Sequence, residues 1–195
     1  MRTLNVFLMG LAACVMPFCA QAQNAAPIIS KTTAQPKINR IVKAPPNLKN
    51  IYHVKAAETP SGFQVPRFVS LKFGKVNGRT GPSRDHPIAW QYQRRGMPLL
   101  VVAETEMWRK VRDITGDESW VRKPALSGEK FVLTLEDTAL RAKPKENARI
   151  AAQSDPDAVL KLESCTDTDW CKVIATNGLK GWVQRRRLWG AEALK

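Results

Sequence analysis

The sequence has few of the residues from which catalytic and metal sites are built. Its 195 residues include two His and four Cys, and no HExxH, P-loop or GxGxxG motif occurs. His53 lies in a proline-rich stretch, and His86 lies between Asp85 and Pro87. Neither His belongs to a recognisable Cys–His or Ser–His arrangement. We therefore predict a protein that is not an enzyme and that uses no metal and no cofactor.

Long apolar runs are lacking as well, except at the N-terminus. Residues 4–18 read LNVFLMGLAACVMPF, follow Arg2 and are followed by a small–x–small pattern that ends at Ala22. The run is shorter than the roughly 20 residues that span a bilayer. This pattern predicts a signal peptide over residues 1–22 that is cleaved after Ala22. A membrane anchor and lipoprotein processing at Cys14 are the alternatives. We expect no transmembrane segment in the mature chain.

Only two cysteines remain after the predicted cleavage. Cys165 and Cys171 flank the polar residues of CTDTDWC, and β-rich sequence lies on both sides. The spacing does not fit a C-x-x-C redox motif, and no His is near enough for a usual zinc site. A hairpin would place the two cysteines side by side, and an oxidising compartment would let them form a disulfide. Two free thiols are the alternative.

Acidic residues are scarce. Asp and Glu number 17 against 31 Lys and Arg, so the formal net charge is +14. Most of this excess lies before residue 129. Such a charge favours anionic partners. We expect acidic polymers of the cell envelope rather than nucleic acid, because an exported protein rarely meets nucleic acid.

Residues 23–66 resemble a linker. They contain six Pro, many Lys and no sustained hydrophobic period. A segment of this composition buries too little apolar area to offset its ordering entropy. We predict that it is mostly extended or disordered. The alternative is that IYHVKA at 51–56 docks as a strand.

The rest of the chain contains one pattern twice. WRKV at 108–111 recurs as WCKV at 170–173, 62 residues later. At this offset, 14 of the 53 positions from 76–128 and 138–190 are identical. Average composition would give about three identities by chance. The sequence therefore contains two copies of one module, which we place at 67–128 (module 1) and 129–195 (module 2).

Each module has the texture of a small β-domain. Short alternating or apolar segments rich in aromatic and β-branched residues are separated by turn-formers. RFVSLKFGKVN at 67–77 reads as one strand, and GRTGPSRDHP at 78–87 reads as a long loop. Five short strands with a long first loop are typical of a small, partly open β-barrel.

The motifs VNGRTGPSRDHPI, WRKV and SWVRKPAL of module 1, with TALRAKPKENARI, WCKV and GWVQRRRL of module 2, resemble the bacterial SH3-like domain family. The likeness is greatest to the exported tandem form of Gram-negative bacteria. It implies an all-β protein in which two tandem SH3-like β-barrels follow a disordered leader, and a periplasmic location. Gly78 departs from the family pattern, which has a core Leu there that module 2 keeps as Leu140. We expect looser packing in module 1, or a shift of Arg79 and Phe73 into the gap.

In such barrels the first long loop borders a groove. The candidate ligand-binding residues are in module 1: Arg79, Arg84, Asp85, His86, Trp90, Tyr92 and Trp108. Trp90 and Tyr92 have no aromatic counterpart in module 2, which makes them candidates for a copy-specific surface. The alternative for the aromatics is the core, because a domain this small needs large side chains to build one.

The resemblance implies a non-enzymatic exported binding module. The expected ligand is a cell-wall or acidic envelope polymer, with the peptide stems of peptidoglycan as the ligand class. The alternative is an adaptor that binds an envelope protein. An envelope hydrolase would require a nucleophile that the sequence does not offer.

Overall fold

The computed structural model describes Pro46, Leu48 and residues 52–192, and the structural statements below concern these residues. The predicted signal peptide and most of the predicted linker lie outside them. The described residues form β-strands and three 3-10 helices, at Ala56–Glu58, Lys123–Ala125 and Arg185–Arg187, with no α-helix. No helix in this part of the chain is long and apolar enough to cross a bilayer.

Each module forms one antiparallel sheet of seven strands. The strands of module 1 are β1 (Arg67–Leu71), β2 (Val76–Arg79), β3 (Ile88–Tyr92), β4 (Pro98–Glu104), β5 (Trp108–Arg112), β6 (Glu118–Arg122) and β7 (Leu126–Ser127). Those of module 2 are β8 (Phe131–Thr134), β9 (Thr138–Arg141), β10 (Ile150–Ser154), β11 (Val159–Cys165), β12 (Trp170–Ile174), β13 (Lys180–Gln184) and β14 (Leu188–Trp189).

The two sheets have the same topology. Their strand orders are β3-β2-β6-β5-β4-β1-β7 and β10-β9-β13-β12-β11-β8-β14, which are identical after a shift of seven strands. This confirms the all-β fold with two tandem modules. The expected number of five strands is wrong. Residues 67–77 bend at 72–75 and form two strands, and further short strands follow the first loop and the 3-10 helix.

Period-2 alternation decides which side chains enter each core. In β5 and β12, Val111 and Val173 are fully buried, and in β6 and β13 Val121 and Val183 are buried at matching positions. Complete burial of such a side chain is worth about 1.5–3 kcal/mol relative to exposure. Each module thus encloses its own apolar cluster.

A third apolar cluster joins the modules. It contains Leu100 and Ile114 of module 1 together with Leu133 and Trp189 of module 2. The rings of Phe68 and Trp189 meet edge to face, with centroids 5.2 Å apart. We call this cluster the seam. Because it is buried and apolar, the modules pack against each other rather than hang on a free linker.

The described end of the leader is folded. Val54 and Val65 exchange two backbone hydrogen bonds of 2.8 and 3.1 Å, and Val65 is buried in the core of module 1. The expectation of an extended or disordered segment is therefore wrong for residues 52–66. Because Val65 packs in the core of module 1, its burial offsets part of the conformational entropy that residues 52–66 lose on folding. The alternative prediction is a docking strand at 51–56. Of its described residues, Val54 alone pairs with another segment, through an isolated bridge to Val65.

The modules close the same hairpin by different chemistry. In module 2, Cys165 and Cys171 are cross-strand partners and form the predicted disulfide. In module 1, the cross-strand partners at this end are Glu104 and Arg109, whose carboxylate Oε2 and Nε lie 3.0 Å apart. Both side chains are almost fully buried, at 2% and 4% exposure.

Glu104 also holds the leader in place. Its Oε2 accepts a 2.6 Å hydrogen bond from Arg67 Nη2, and its Oε1 accepts one of 3.0 Å from the backbone N–H of Ser61. Burial raises the pKa of Glu104, but the hydrogen bonds from Ser61 and Arg67 outweigh this effect, and the pKa lies below its ordinary value. The carboxylate is therefore charged at neutral pH and anchors two segments at once.

The two cores are also filled differently around Gly78. A Cβ at Gly78 would lie 2.4 Å from Ser119 Oγ and 3.1 Å from the ring of Tyr92, so no space for a larger side chain exists there. In module 2 Leu140 is fully buried, and Gly181 lies against it where module 1 has Ser119. The expected gap at Gly78 is thus absent. Tyr92 fills it, whereas Phe73 is 51% exposed and does not.

Candidate functional site

The first loop of module 1, residues 80–87 between β2 and β3, is held by its own backbone and by one arginine. The N–H of Thr80 donates to the carbonyl of Pro87 (3.0 Å), which closes the base of the loop. Arg79 Nη1 donates to the carbonyl of His86 (2.6 Å). Arg141 makes the matching contact in module 2, to the carbonyl of Ala148 (2.9 Å). Arg79 is therefore a structural residue of the loop.

His86 also shapes the loop through its ring. A Cβ at Gly81 would lie about 2.4 Å from three atoms of the His86 imidazole, so only glycine permits this approach. Ser83 and Asp85 stabilise the tip, since the Asp85 N–H donates to Ser83 Oγ (3.0 Å) and Ser83 Oγ donates to Asp85 Oδ2 (3.1 Å). These contacts give the loop a defined conformation.

Three predicted ligand-binding residues lie together on this exposed surface: Arg84, Asp85 and His86. No hydrogen bond or ion pair engages the Arg84 guanidinium within the described part of the chain. The group is therefore free to bind an anionic ligand. Asp85 is partly engaged by Ser83, and the His86 ring lies on Gly81.

The predicted aromatic floor is largely buried. Tyr92 is 5% exposed, its hydroxyl shares a 3.0 Å hydrogen bond with Ser119 Oγ, and burial raises the pKa of its phenol. Trp108 is 8% exposed. Placing these two in an exposed ligand-binding floor is wrong, because both pack inward. Trp90 is half-buried, edge to face with Tyr92 at 6.1 Å, and so reaches the surface only in part.

Beside the loop lies a free sheet edge. β3 is the terminal strand of the first sheet, and Ile88 at its start is half exposed. An edge strand leaves backbone N–H and C=O groups unpaired along one side. Within the described part of the chain, the candidate site therefore combines a charged loop with an edge strand, β3, that carries the half-buried Trp90.

A second concave region was not predicted from the sequence. A cleft of about 390 Å³ lies between the modules, lined by Arg67 and Phe68 of β1, by the connection at Glu129 and Lys130, by the end of β11, and by Glu192 near the C-terminus. We call it the inter-module cleft. A larger groove of about 540 Å³ lies beside it on module 2, with leader residues Pro46 and Leu48 in its lining. The residues that line each cavity are far apart in the sequence and form no local motif. The sequence therefore did not predict either cavity.

The described residues offer no obvious reaction centre. No group of three or more His, Cys, Asp or Glu side chains in this part of the chain is placed to hold a metal ion. Cys165 and Cys171 are bonded to each other, so neither supplies a thiolate. His53 and His86 are both exposed, one in the folded end of the leader and one in the first loop.

Comparison with known proteins gives one strong match. The family model described as "Bacterial SH3 domain" matches residues 72–128 and again 136–190, together more than half of the chain. No curated protein matches.

Several solved structures resemble the chain, and the two described here do so weakly. They include NlpC2 from Trichomonas vaginalis (11% identity, TM-score 0.30, 65% of this chain and 49% of that one) and NlpC1 from the same organism (10%, 0.29, 76% and 49%). The chain thus spans about half the length of each. Likeness at this level carries no argument about function.

Proposed function

Since this chain belongs to the bacterial SH3 domain family, we propose that it is a non-enzymatic module exported to the periplasm, where it binds the cell envelope through the peptide stems of peptidoglycan. Modules of this family are generally cell-wall binding modules, and both copies here match its model. The proposal also includes the cleavage after Ala22, which would deliver the mature chain to the wall.

The observation that carries the proposal is the exposed first loop of module 1. It presents Arg84 without a protein partner in the described part of the chain, next to Asp85 and His86. Arg79 holds the backbone of the loop, and the His86 ring packs on Gly81. Peptide stems carry carboxylates, which a free guanidinium binds in a fork geometry. The excess of basic residues, +14 in the full sequence including Arg2 of the signal peptide, would add a long-range attraction to an anionic wall.

The test is co-sedimentation of the mature chain with protein-free sacculi at low salt. We expect recovery with the sacculi, weaker recovery as salt is added because exposed charges are screened, and a several-fold loss for the Arg84→Ala/His86→Ala variant. Arg149→Ala, in the equivalent loop of module 2, is the matched control and should bind as the native chain does. Absence of recovery at low salt would refute wall binding.

An adaptor that docks an envelope protein is the second candidate, favoured by an apolar pair on module 1. Phe73 and Met107 are 51% and 46% exposed. They adjoin opposite ends of the 3-10 helix Lys123–Ala125, whose Lys123 N–H donates to the Met107 carbonyl while its Ala125 carbonyl accepts from the N–H of Lys72. A partner protein that covered this side of module 1 would bury both side chains. Binding that survives on protein-free sacculi, and that is unchanged in Phe73→Ser/Met107→Ser, would exclude this reading.

A further inference from the structure

The inter-module cleft contains a carboxylate that forms no ion pair among residues 52–192. Glu192 Oε2 accepts a 2.8 Å hydrogen bond from the backbone N–H of Gly190. No Lys, Arg or His of the described residues lies within ion-pairing distance of it. Burial raises the pKa of Glu192, and the hydrogen bonds from backbone N–H groups only partly oppose this.

Among the described glutamates whose pKa departs from its ordinary value, Glu192 is the one whose pKa is raised. Glu104, Glu118 and Glu163 each contact two cationic side chains, and the pKa of each lies below its ordinary value. In a protein with a net charge of +14, cations are abundant, yet none of the described ones contacts Glu192. A partly buried carboxylate without a cation gains from a ligand that supplies one.

The same cleft holds a cation that is also unpaired. The Lys130 ammonium, in the connection between the modules, makes no ion pair within residues 52–192. The neighbouring Arg185 is different, because its Nε lies 3.5 Å from Asp169 Oδ1 and its Nη2 donates to the Thr166 carbonyl. Phe68, Phe131 and Leu162 supply apolar lining. Within the part of the chain that the structure describes, the cleft thus combines an unpaired negative group, an unpaired positive group and apolar surface.

We propose that the inter-module cleft binds a short zwitterionic peptide, whose ammonium contacts Glu192 and whose carboxylate contacts Lys130. The inference rests on the proposed function, because wall stems that contain a diamino acid are peptides of this class. Its volume of about 390 Å³ lies within the range of about 300–1,000 Å³ typical of small-ligand sites.

The site exists only because the modules pack together. Arg67 and Phe68 come from module 1, whereas Phe131, Leu162 and Glu192 come from module 2. The Phe68 ring that lines the cleft is the one that packs on Trp189 in the seam. A single module would therefore lack the site, which gives the tandem arrangement a direct role in recognition.

The test is a thermodynamic cycle between peptide and protein. Calorimetry would measure binding of the mature chain to the tripeptide Ala–γ-Glu–diaminopimelate, and to the same peptide with its amines acetylated. We expect acetylation to weaken binding to the native chain about tenfold or more, as for loss of a charge-assisted hydrogen bond. In Glu192→Gln, which is nearly isosteric, acetylation should have no effect. Glu106→Gln, an exposed glutamate outside the cleft, is the matched control and should behave as the native chain.

Other outcomes separate this inference from the proposed function. Equal effects of acetylation in the native chain and in Glu192→Gln would overturn the inference. Retention on sacculi with peptide-induced amide shifts confined to residues 80–87 would overturn it and leave the proposed function intact. No binding to sacculi or to either peptide would overturn both. If Glu192→Gln does not fold, Lys130→Met provides the test. The native chain should bind the tripeptide more tightly than Lys130→Met does. The two proteins should bind equally when the C-terminal carboxylate of the peptide is replaced by an amide.

Discussion

Modules 1 and 2 share one topology but differ in chemistry at matched positions. The hairpin end that a disulfide closes in module 2 is closed in module 1 by Glu104 and Arg109. The core site that Leu140 fills in module 2 is filled in module 1 by a ring from a neighbouring strand. The comparison teaches that strand order and core volume define this fold, while the groups that supply them are exchangeable.

The largest expected effect comes from breaking the ion pair of module 1. Glu104→Gln would leave the guanidinium of Arg109 buried without a counter-charge, which typically costs about 3–5 kcal/mol. Urea unfolding followed at module 1 amides measures it. Glu163→Gln in module 2, an exposed glutamate with two lysine partners, is the control and should change stability little. Equal effects of the two variants would contradict a structural role for the buried pair.

Module 2 should depend on Leu140 in a way that module 1 does not depend on position 78. We expect Leu140→Ala to reduce the free energy of unfolding by about 2–5 kcal/mol, because Gly181 leaves no neighbour to fill the cavity. The urea midpoint of module 2 amides reports it. Leu179→Ala, at a partly buried site, should cost less. A loss below about 1 kcal/mol at Leu140 would show that the core collapses around the cavity.

Reductant should lower the stability of module 2 but not that of module 1. The disulfide closes a short loop, so its reduction is expected to cost about 2 kcal/mol, near the lower end of the usual range. The loss should appear in module 2 amides in urea, and Cys165→Ser/Cys171→Ser should reproduce it. Module 1 amides outside the seam serve as the internal control. A uniform loss over both modules would mean that the seam makes them unfold as one unit.

The different core residues of the two modules predict that substitutions at Gly78, Tyr92 and Ser119 are energetically coupled. Gly78→Leu alone should destabilise module 1 by about 1–3 kcal/mol, since the new side chain meets Ser119 and Tyr92. Adding Tyr92→Ser and Ser119→Gly, which imports the arrangement of module 2, should recover part of the loss. Additive losses in the triple variant would contradict compensation between these three positions.

The smallest expected effect is a difference in acid sensitivity. Because the pKa of Glu104 in the folded state is lowered, the stability that it contributes is present above its unfolded pKa of about 4.3 and is lost as pH falls through the folded pKa. Glu118 of module 1 behaves in the same direction. Between pH 5 and pH 3 the urea midpoint of module 1 should therefore fall, and the fall should be smaller in Glu104→Gln. An unchanged slope in that variant would exclude Glu104 as the cause.

Local pattern predicted much of the fold. The 62-residue repeat, the alternation of Val111 with its neighbours and the polar turn between the cysteines are properties of short segments, and the two modules and the disulfide follow from them. Strand number did not follow, since a bend at residues 72–75 carries no strong turn signal.

Long-range packing was beyond such patterns. Tyr92 was a surface candidate because module 2 has no aromatic counterpart, but its ring lies inside the core, in the space beside Gly78 on the paired strand. The seam and the inter-module cleft join residues of both modules, and the three-dimensional structure alone reveals that no cation of residues 52–192 pairs with Glu192. The charged loop at 80–87 was predicted because turn-forming residues define it locally.

The most direct test of wall recognition is a titration of the isotope-labelled mature chain with soluble wall fragments, followed by amide NMR. The account predicts saturable shifts at residues 80–87 and around Lys130 and Glu192 in the inter-module cleft, which weaken as salt is added. Shifts confined to residues 142–149 of module 2, or none at saturating fragment, would contradict it.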